Sequence, residues 1–258
     1  MQAVKFVEQR YRIYPLFEAM LIGMMSFLVI SVSTYFIYHY SLSAQTGEIK
    51  EGLLRTAKVV SSFIDPDVHR TFTDPAQQQS DTYKNAIKPL ESALAVDPSI
   101  KYLYTAILKN DKVYFILDAT PSGDVDEDGL EDKAFIMDHY VEAPADIIRA
   151  LKNQEIVISN EPYTDRWGQF LSGYIPLFDS NKEFVGVLGI DIQASAYFAR
   201  LEPIKRATIR TMVMGFFISF LIASVVWFTR NFGLKVNARR NAVTQYLIKQ
   251  QQLEQDKT

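Results

Sequence analysis

Two stretches of this chain contain no charged residue at all: Ala19–Tyr38 (AMLIGMMSFLVISVSTYFIY) and Thr211–Thr229 (TMVMGFFISFLIASVVWFT). At about 1.5 Å of rise per residue, a helix of either length covers roughly 30 Å, the thickness of a bilayer's hydrocarbon core. The competing explanations are a buried core helix and, for the first stretch, a cleaved signal peptide. Core helices seldom run so far without a charge, and no A-x-A cleavage pattern follows the first stretch. Tyr35, Tyr38 and Tyr40 near the end of the first stretch, and Trp227 near the end of the second, suit interfacial anchoring. Gly23 and Gly215 need no special role. Two transmembrane helices, 19–40 and 207–229, are therefore expected, with both termini on one side and residues 41–206 on the other.

Which side is which does not follow from charge. Lys5, Arg10 and Arg12 precede the first span and Arg230, Lys235, Arg239 and Arg240 follow the second. Against them stand Lys50, Arg55 and Lys58 after the first span, and Arg200, Lys205, Arg206 and Arg210 before the second. Long central segments translocate largely regardless of charge, so the positive-inside rule has little grip here. The chain has no cysteine, which removes disulfides, thiolate metal sites and cysteine nucleophiles together. Its net charge of −3 hides an uneven distribution, because residues 111–146 carry eleven Asp and Glu against two Lys.

Beyond the first span, Ile49, Leu53, Ala57, Val60 and Ile64 recur at spacings of three and four, the stripe of an amphipathic helix. It is expected to stop near Asp65-Pro66, and a second helix, Ser80 to Leu94, near Asp97-Pro98. Lys101–Leu108 (KYLYTAIL) and Val113–Leu117 (VYFIL), separated by Asn110-Asp111, read as an antiparallel hairpin. A short helix at Ala145–Leu151 and an extended piece at Ile156–Ser159 precede a second hairpin. Its strands are Gly168–Phe178 and Phe184–Ile192, with a turn at Asp179-Ser180-Asn181. Gly186 and Gly189 in the last strand mark a bulge or a close backbone approach. From Ala194 the pattern is helical into the second span, with Pro203 as a point for a kink. The order is that of an α+β domain with an antiparallel sheet.

Membrane helix, long helix, small α+β domain, membrane helix: this order resembles the Cache family of bacterial extracytoplasmic sensors, which share a PAS-like fold. SSFIDPDVHRTF (Ser61–Phe72) is similar to the end of that family's long first helix, and YTDRWGQFLSGYIPLFDSNKEFVGVLGIDI (Tyr163–Ile192) to its closing hairpin. YFILDATPSGDVDEDGLEDKAFI (Tyr114–Ile136) is similar to a strand and acidic loop in a Cache subset. The resemblance implies an α+β, PAS-like antiparallel sheet with a long N-terminal helix, flanked by two transmembrane helices. It implies a periplasmic or extracellular sensor at residues 41–206, in a bacterial inner membrane, with 1–18 and 230–258 cytoplasmic. It implies a small-molecule ligand, a homodimer formed through the long first helix, and a cytoplasmic kinase, cyclase, phosphodiesterase or chemotaxis output. Arg230–Thr258 is too short for such a module, so the output is expected either beyond an excised input half or on a partner. Val236 and Val243, like Tyr246 and Leu253, stand seven residues apart, a start for a coiled coil.

The resemblance also places a ligand pocket on the sheet face. By position its candidates are Tyr104 and Tyr114 on the first hairpin, Asp118 at its end, Asp165, Arg166 and Trp167 in a turn, and Tyr174 and Asp191 on the last strands. Aromatic walls with few charges suit a small polar metabolite, with Arg166 pairing a carboxylate and Asp191 an amine. Core aromatic packing and a helix cap at Asp191 are the plainer roles for these residues. The paired Arg-x-Trp spacing of the family's amino-acid-binding subset is absent.

In DVDEDGLED, Asp124, Asp126, Asp128 and Asp132 hold relative positions 1, 3, 5 and 9 with Gly129 at 6, the first part of an EF-hand-type loop. Position 12 is Phe135 where a bidentate Glu belongs, so a shorter calcium loop and a solvated acidic loop both remain open. His39, His69 and His139 are the only histidines, and none stands in an H-E-x-x-H, G-x-S-x-G or phosphate-loop context. The basic residues form no nucleic-acid footprint. No catalytic residue is therefore singled out, and the alternative to a sensor is a membrane-tethered accessory protein that binds another protein, with or without calcium.

Overall fold

The computed structural model describes residues 14–124, 129 and 131–255. Its residues divide into two compact units, one made of the chain up to Ser41 together with Ile204 onward, the other of Leu42–Pro203.

The first unit is a helix pair. Helix α1 (Pro15–Ser61) supplies its N-terminal part and helix α5 (Ala194–Gln255) the remainder, each with a stretch long and apolar enough to cross a membrane. Met24, Phe36 and Phe220 are each at least 65% exposed, so a buried core helix is not the explanation for this apolarity. Gly23 and Gly215, expected to have no special role, stand where the two helices come close together. A Cβ on Gly23 would stand 2.9 Å from the Ala223 Cβ, and one on Gly215 only 2.6 Å from the Ile30 side chain. Small residues let backbones come together where lipid offers no hydrophobic drive. Phe27 meets Phe216 edge-on at 6.0 Å, and Arg230 grips Glu18 with two hydrogen bonds, of 2.5 and 2.8 Å.

The second unit is an α+β domain built on one antiparallel sheet. Its strands are β1 (Ile100–Lys109), β2 (Lys112–Asp118), β3 (Val157–Ile158), β4 (Tyr163–Asp165), β5 (Gly168–Phe178) and β6 (Phe184–Gln193). They lie in the order β2-β1-β6-β5-β3, with β4 also on β5. The PAS-like sheet behind a long N-terminal helix is thus what the chain forms. Asn110 and Asp111, at φ 51° and 58°, make the two-residue turn whose backbone twist matches a right-handed hairpin. Asp179 organises the other turn, its Oδ1 accepting from the N–H groups of Asn181 and Glu183.

Alternation along the strands sorts residues onto two faces. Leu103, Leu171, Ile175, Leu188 and Ile190 face the helices. Against them lies the stripe Ile49, Leu53, Ala57 and Val60 of α1, continued by Ile64 just beyond its end, all at most 6% exposed, joined by Tyr83, Ile87 and Leu90 of α3 (Asp81–Val96). Each such side chain contributes roughly 1.5–3 kcal/mol when fully buried. Helix α1 ends at Ser61, four residues before the expected stop at Asp65-Pro66, and α3 ends at Val96, just before Asp97-Pro98. Asp65 caps the short helix α2 (Pro66–His69), with Pro66 in its first turn, and the Ser80 hydroxyl accepts from Tyr83 N–H to start α3. Helix α5 runs on through Pro203 without a break in its assignment. Tyr102, Tyr104, Phe170, Tyr174 and Val187 face the other way, toward α4 (Ala145–Asn153).

One irregularity connects the faces. Tyr104 pairs with Asp118 and Ala106 with Phe115, so β2 carries an extra residue between the two rungs, a β-bulge. Phe115 and Asp118 are an odd number of residues apart, yet the bulge lets both point to the face away from α1. The freed Leu117 N–H is satisfied by the buried Thr105 hydroxyl at 2.9 Å, and the same oxygen lies 2.8 Å from the His69 Nε2. Burial lowers the His69 pKa to about 4, so its ring is neutral. Thr105→Val keeps the shape and leaves the Leu117 N–H and the imidazole without a partner. The substitution is expected to cost about 1–3 kcal/mol, read as a lowered melting temperature of the full chain in detergent; an unchanged melt would rule out this role for the hydroxyl.

Candidate functional site

Two adjacent rungs of the sheet make the floor of a cavity on the face away from α1. One rung runs Asp118, Tyr104, Gly189 and Tyr174 across β2, β1, β6 and β5; the next runs Tyr102, Asp191 and Ser172 across β1, β6 and β5. Gly189 is required there, because a Cβ would stand 2.7 Å from two carbons of the Tyr104 ring, which lies across it. Tyr140 and Trp167 close the sides, both edge-on to Tyr104 or to one another, and Phe115 stacks on Tyr140 at 4.8 Å. The space left between these side chains is small, about 20 Å³, enough for roughly one water molecule.

Four carboxylates face this space: Asp118, Asp132, Asp165 and Asp191. Asp118 is held rigidly, its Oδ1 accepting from the Thr120 N–H and hydroxyl and its Oδ2 from Ala134 N–H. Asp165 accepts from the Tyr140 hydroxyl at 2.5 Å and from Trp167 N–H at 2.9 Å. Asp132 accepts from the Tyr102 hydroxyl at 3.3 Å, while its backbone carbonyl takes the Trp167 indole N–H. Asp191 accepts a short hydrogen bond from the Ser172 hydroxyl. Burial pushes Asp191 up to about 8; the Ser172 bond opposes that and the charge of Asp165 adds to it. Burial likewise raises Asp118 and Asp165 above the ordinary carboxylate range. The Tyr104 hydroxyl is buried and interacts with Asp191, opposing the upward shift of that carboxyl group.

Of the residues expected from sequence, Tyr104, Asp118, Asp165, Trp167 and Asp191 meet around this cavity. Tyr174 is fully buried beside it, its hydroxyl 3.4 Å from that of Tyr163. Tyr114 lies on the other side of β2 from Phe115, as strand alternation requires, with its ring 5.5 Å from that of His139. Arg166 stacks its guanidinium 3.8 Å over the outside of the Trp167 ring and lines a separate recess with Glu131, Lys133 and Asp138. Asp191 is a strand residue aimed into the cavity and caps no helix. Tyr102, Phe115, Thr120, Ala134 and Tyr140 also line the cavity. Tyr102 was readable as the alternate partner of Tyr104, whereas Tyr140 follows an irregular segment with no period to place it. Of the four carboxylates expected at a calcium loop, Asp126 and Asp128 lie outside the described residues. Asp124 is exposed and accepts from Gly129 N–H, and Asp132 turns into the cavity. Among the described residues no three His, Asp or Glu side chains are grouped to hold a metal ion.

No family model matches the chain, and no curated protein does. Among solved structures it is similar to the ligand-binding domain of the Campylobacter jejuni chemoreceptor Tlp3 in complex with L-valine, at 12% identity and a TM-score of 0.46. That match covers 70% of this chain and 66% of the other, slightly under two thirds of its length. The E. coli DcuS sensor domain is similar at 16% identity, covering 62% of this chain and 98% of that one, TM-score 0.39. So is the ligand-binding domain of the Pseudomonas aeruginosa PAO1 amino acid chemoreceptor PctC in complex with GABA, at 14% identity, 66% and 67% coverage and TM-score 0.39.

The Asp191 shift has a definite sign. Between the ordinary carboxylate value of 3.8 and about 8 the folded chain binds a proton that the unfolded chain does not. Stability from this group is therefore complete at low pH and is lost as pH rises through 8. Asp191→Asn imitates the protonated acid and removes that loss. The variant is expected to melt above the parent at pH 8 and level with it near pH 4; equal melts at pH 8 would contradict the assignment.

Proposed function

We propose that this chain is a membrane-anchored signal-input protein. Its Cache-type domain binds a small molecule in the cavity over Asp191, and helix α5 carries the response to an output. The observation behind this is the position of Asp191: a buried carboxylate in the cavity floor, on the strand that runs directly into α5 at Ala194. A ligand that alters the packing around Asp191 acts on the root of the helix that contains the second apolar stretch. In this reading the domain is extracytoplasmic, the membrane is a bacterial inner membrane, and the output is of kinase, cyclase or chemoreceptor type. The aromatic and carboxylate lining suits binding of a small polar molecule.

Self-association belongs to the same reading. Val59 of α1, Phe63 in the turn after it and Val96 of α3 are 58%, 64% and 83% exposed along one apolar groove. Such a patch marks an interaction surface, and a second copy of α1 is the occupant that a dimeric sensor supplies.

Thermal-shift screening of the full chain in lipid nanodiscs, against amines, organic acids and amino acids, tests the binding step. A ligand at a hundred times its Kd stabilises by about 2.7 kcal/mol. Gly189→Ala, which forces a methyl group onto the Tyr104 ring, is expected to abolish that stabilisation. A screen without any stabilising compound, or a hit indifferent to Gly189→Ala, would count against the site. Transmission is tested in the same cysteine-free chain with Ile30→Cys and Gly215→Cys, whose side chains face each other across the helix pair. Ligand is expected to change their oxidative cross-linking rate, and an unchanged rate would sink the signalling role of α5.

A further inference from the structure

We infer that helix α5, just past its apolar stretch, is a contact for the phosphate headgroups of anionic lipids, and that those headgroups compete with Glu18 for Arg230. The inference rests on the membrane-anchored reading above and adds the kind of lipid the chain prefers and the place where that lipid acts.

The charge pattern carries it. From Arg230 to Leu253 the helix has Arg230, Lys235, Arg239, Arg240 and Lys249 and no Asp or Glu. Arg230 follows the uncharged stretch Thr211–Thr229 directly, and Lys235 comes about 7.5 Å further along the axis. That step is within the roughly 8 Å over which charges act at physiological ionic strength, and Arg239 and Arg240 lie within about twice that reach. Trp227, Phe228 and Phe232 are 46%, 64% and 61% exposed at the same level, where aromatic rings meet headgroups. A basic run placed in this way attracts the negative surface of a membrane.

The distribution of these charges favours a lipid layer over a protein partner. At about 100° of turn per residue, Arg230, Lys235 and Arg240 fall on three different sides of α5. A partner docked along the helix calls for a one-sided stripe, whereas headgroups surround a helix that passes through them end-on. Among the described residues, Lys235, Arg239 and Arg240 are exposed and enter no ion pair.

Arg230 differs in being held already. Its Nε and Nη2 donate to the two carboxylate oxygens of Glu18, at 2.5 and 2.8 Å, a fork that a phosphate group reproduces. The pair is open to its surroundings, because the Arg230 side chain is 60% exposed. A headgroup drawn to Lys235 therefore arrives beside a guanidinium that it can take from Glu18. Taking it undoes the polar link between α1 and α5 at this end of the helix pair and leaves the close contact at Gly23 and Ala223 as the next hold. By linkage, removal of Glu18 strengthens the hold of the headgroup on Arg230.

Quenching of tryptophan fluorescence by brominated phosphatidylglycerol, compared with brominated phosphatidylcholine, tests this in the full chain in nanodiscs. Trp227 reports, and Trp167, beside the cavity of the α+β domain, supplies a constant background. Phosphatidylglycerol is expected to occupy the sites around Trp227 at least threefold more often. Replacing Arg230, Lys235, Arg239 and Arg240 together by Gln is expected to bring the ratio to one, with melting curves confirming the fold. Glu18→Gln is expected to raise the preference at least twofold in the parent and to leave it unchanged in an Arg230→Gln background. A mere loss of negative charge would raise it in both, and that result overturns the competition, as does a Glu18→Gln variant equal to the parent. A preference that survives the fourfold replacement overturns the contact. Loss of the preference to inorganic phosphate, but not to chloride at the same ionic strength, assigns the site to a soluble anion and overturns the lipid. If both lipids quench Trp227 equally, the membrane-anchored reading stands and only the inference falls. If neither quenches it, the second apolar stretch lies outside the bilayer and both fall.

Discussion

Strand alternation is the constraint from which the rest follows. In β1, β5 and β6 it sends Leu103, Leu171, Leu188 and Ile190 to the face that α1 covers, and Tyr102, Tyr104, Ser172 and Asp191 to the other. The helix face is continuous aliphatic packing and needs no water. The opposite face mixes aromatic rings with carboxylates and cannot pack to the same density without leaving charges unsolvated. A sheet with one dry face and one polar face therefore produces both a stable domain and a recess, and the recess lies where the packing is least favourable.

The two faces are not independent. Thr105 belongs to the aliphatic face, yet its hydroxyl satisfies the amide freed by the bulge that turns Asp118 toward the cavity. The placement of Asp118 thus depends on a hydrogen bond made on the far side of the sheet. Stability is also given up at Asp191, where burial of a carboxyl group opposes folding above its ordinary pKa and is offset by the aliphatic stripe of α1.

Much of this was legible beforehand. The stripe Ile49 to Ile64, both hairpins and the turn at Asn110-Asp111 follow from period and turn chemistry, and each is formed as expected. The cavity was partly legible: Tyr104, Asp118, Asp165, Trp167 and Asp191 line it. Tyr114 does not, because its neighbour Phe115 takes the inward position. Arg166 does not, because its guanidinium finds the Trp167 ring first. The bulge that admits Asp118 leaves no mark in a window of hydrophobicity, and Tyr140 arrives from an irregular segment through tertiary packing alone. Gly23 and Gly215 looked like neutral small residues until the two helices were seen to touch there.

Gly189 turns the cavity into something that can be recognised without a structure. Any side chain at that position collides with Tyr104, so the presence of the recess hangs on one codon. Among sequences that share this domain plan, glycine at the position lets the tyrosine ring lie across the floor, and alanine or anything larger forces it off. A single column of an alignment would then separate chains built with this aromatic floor from those that share only the surrounding sheet.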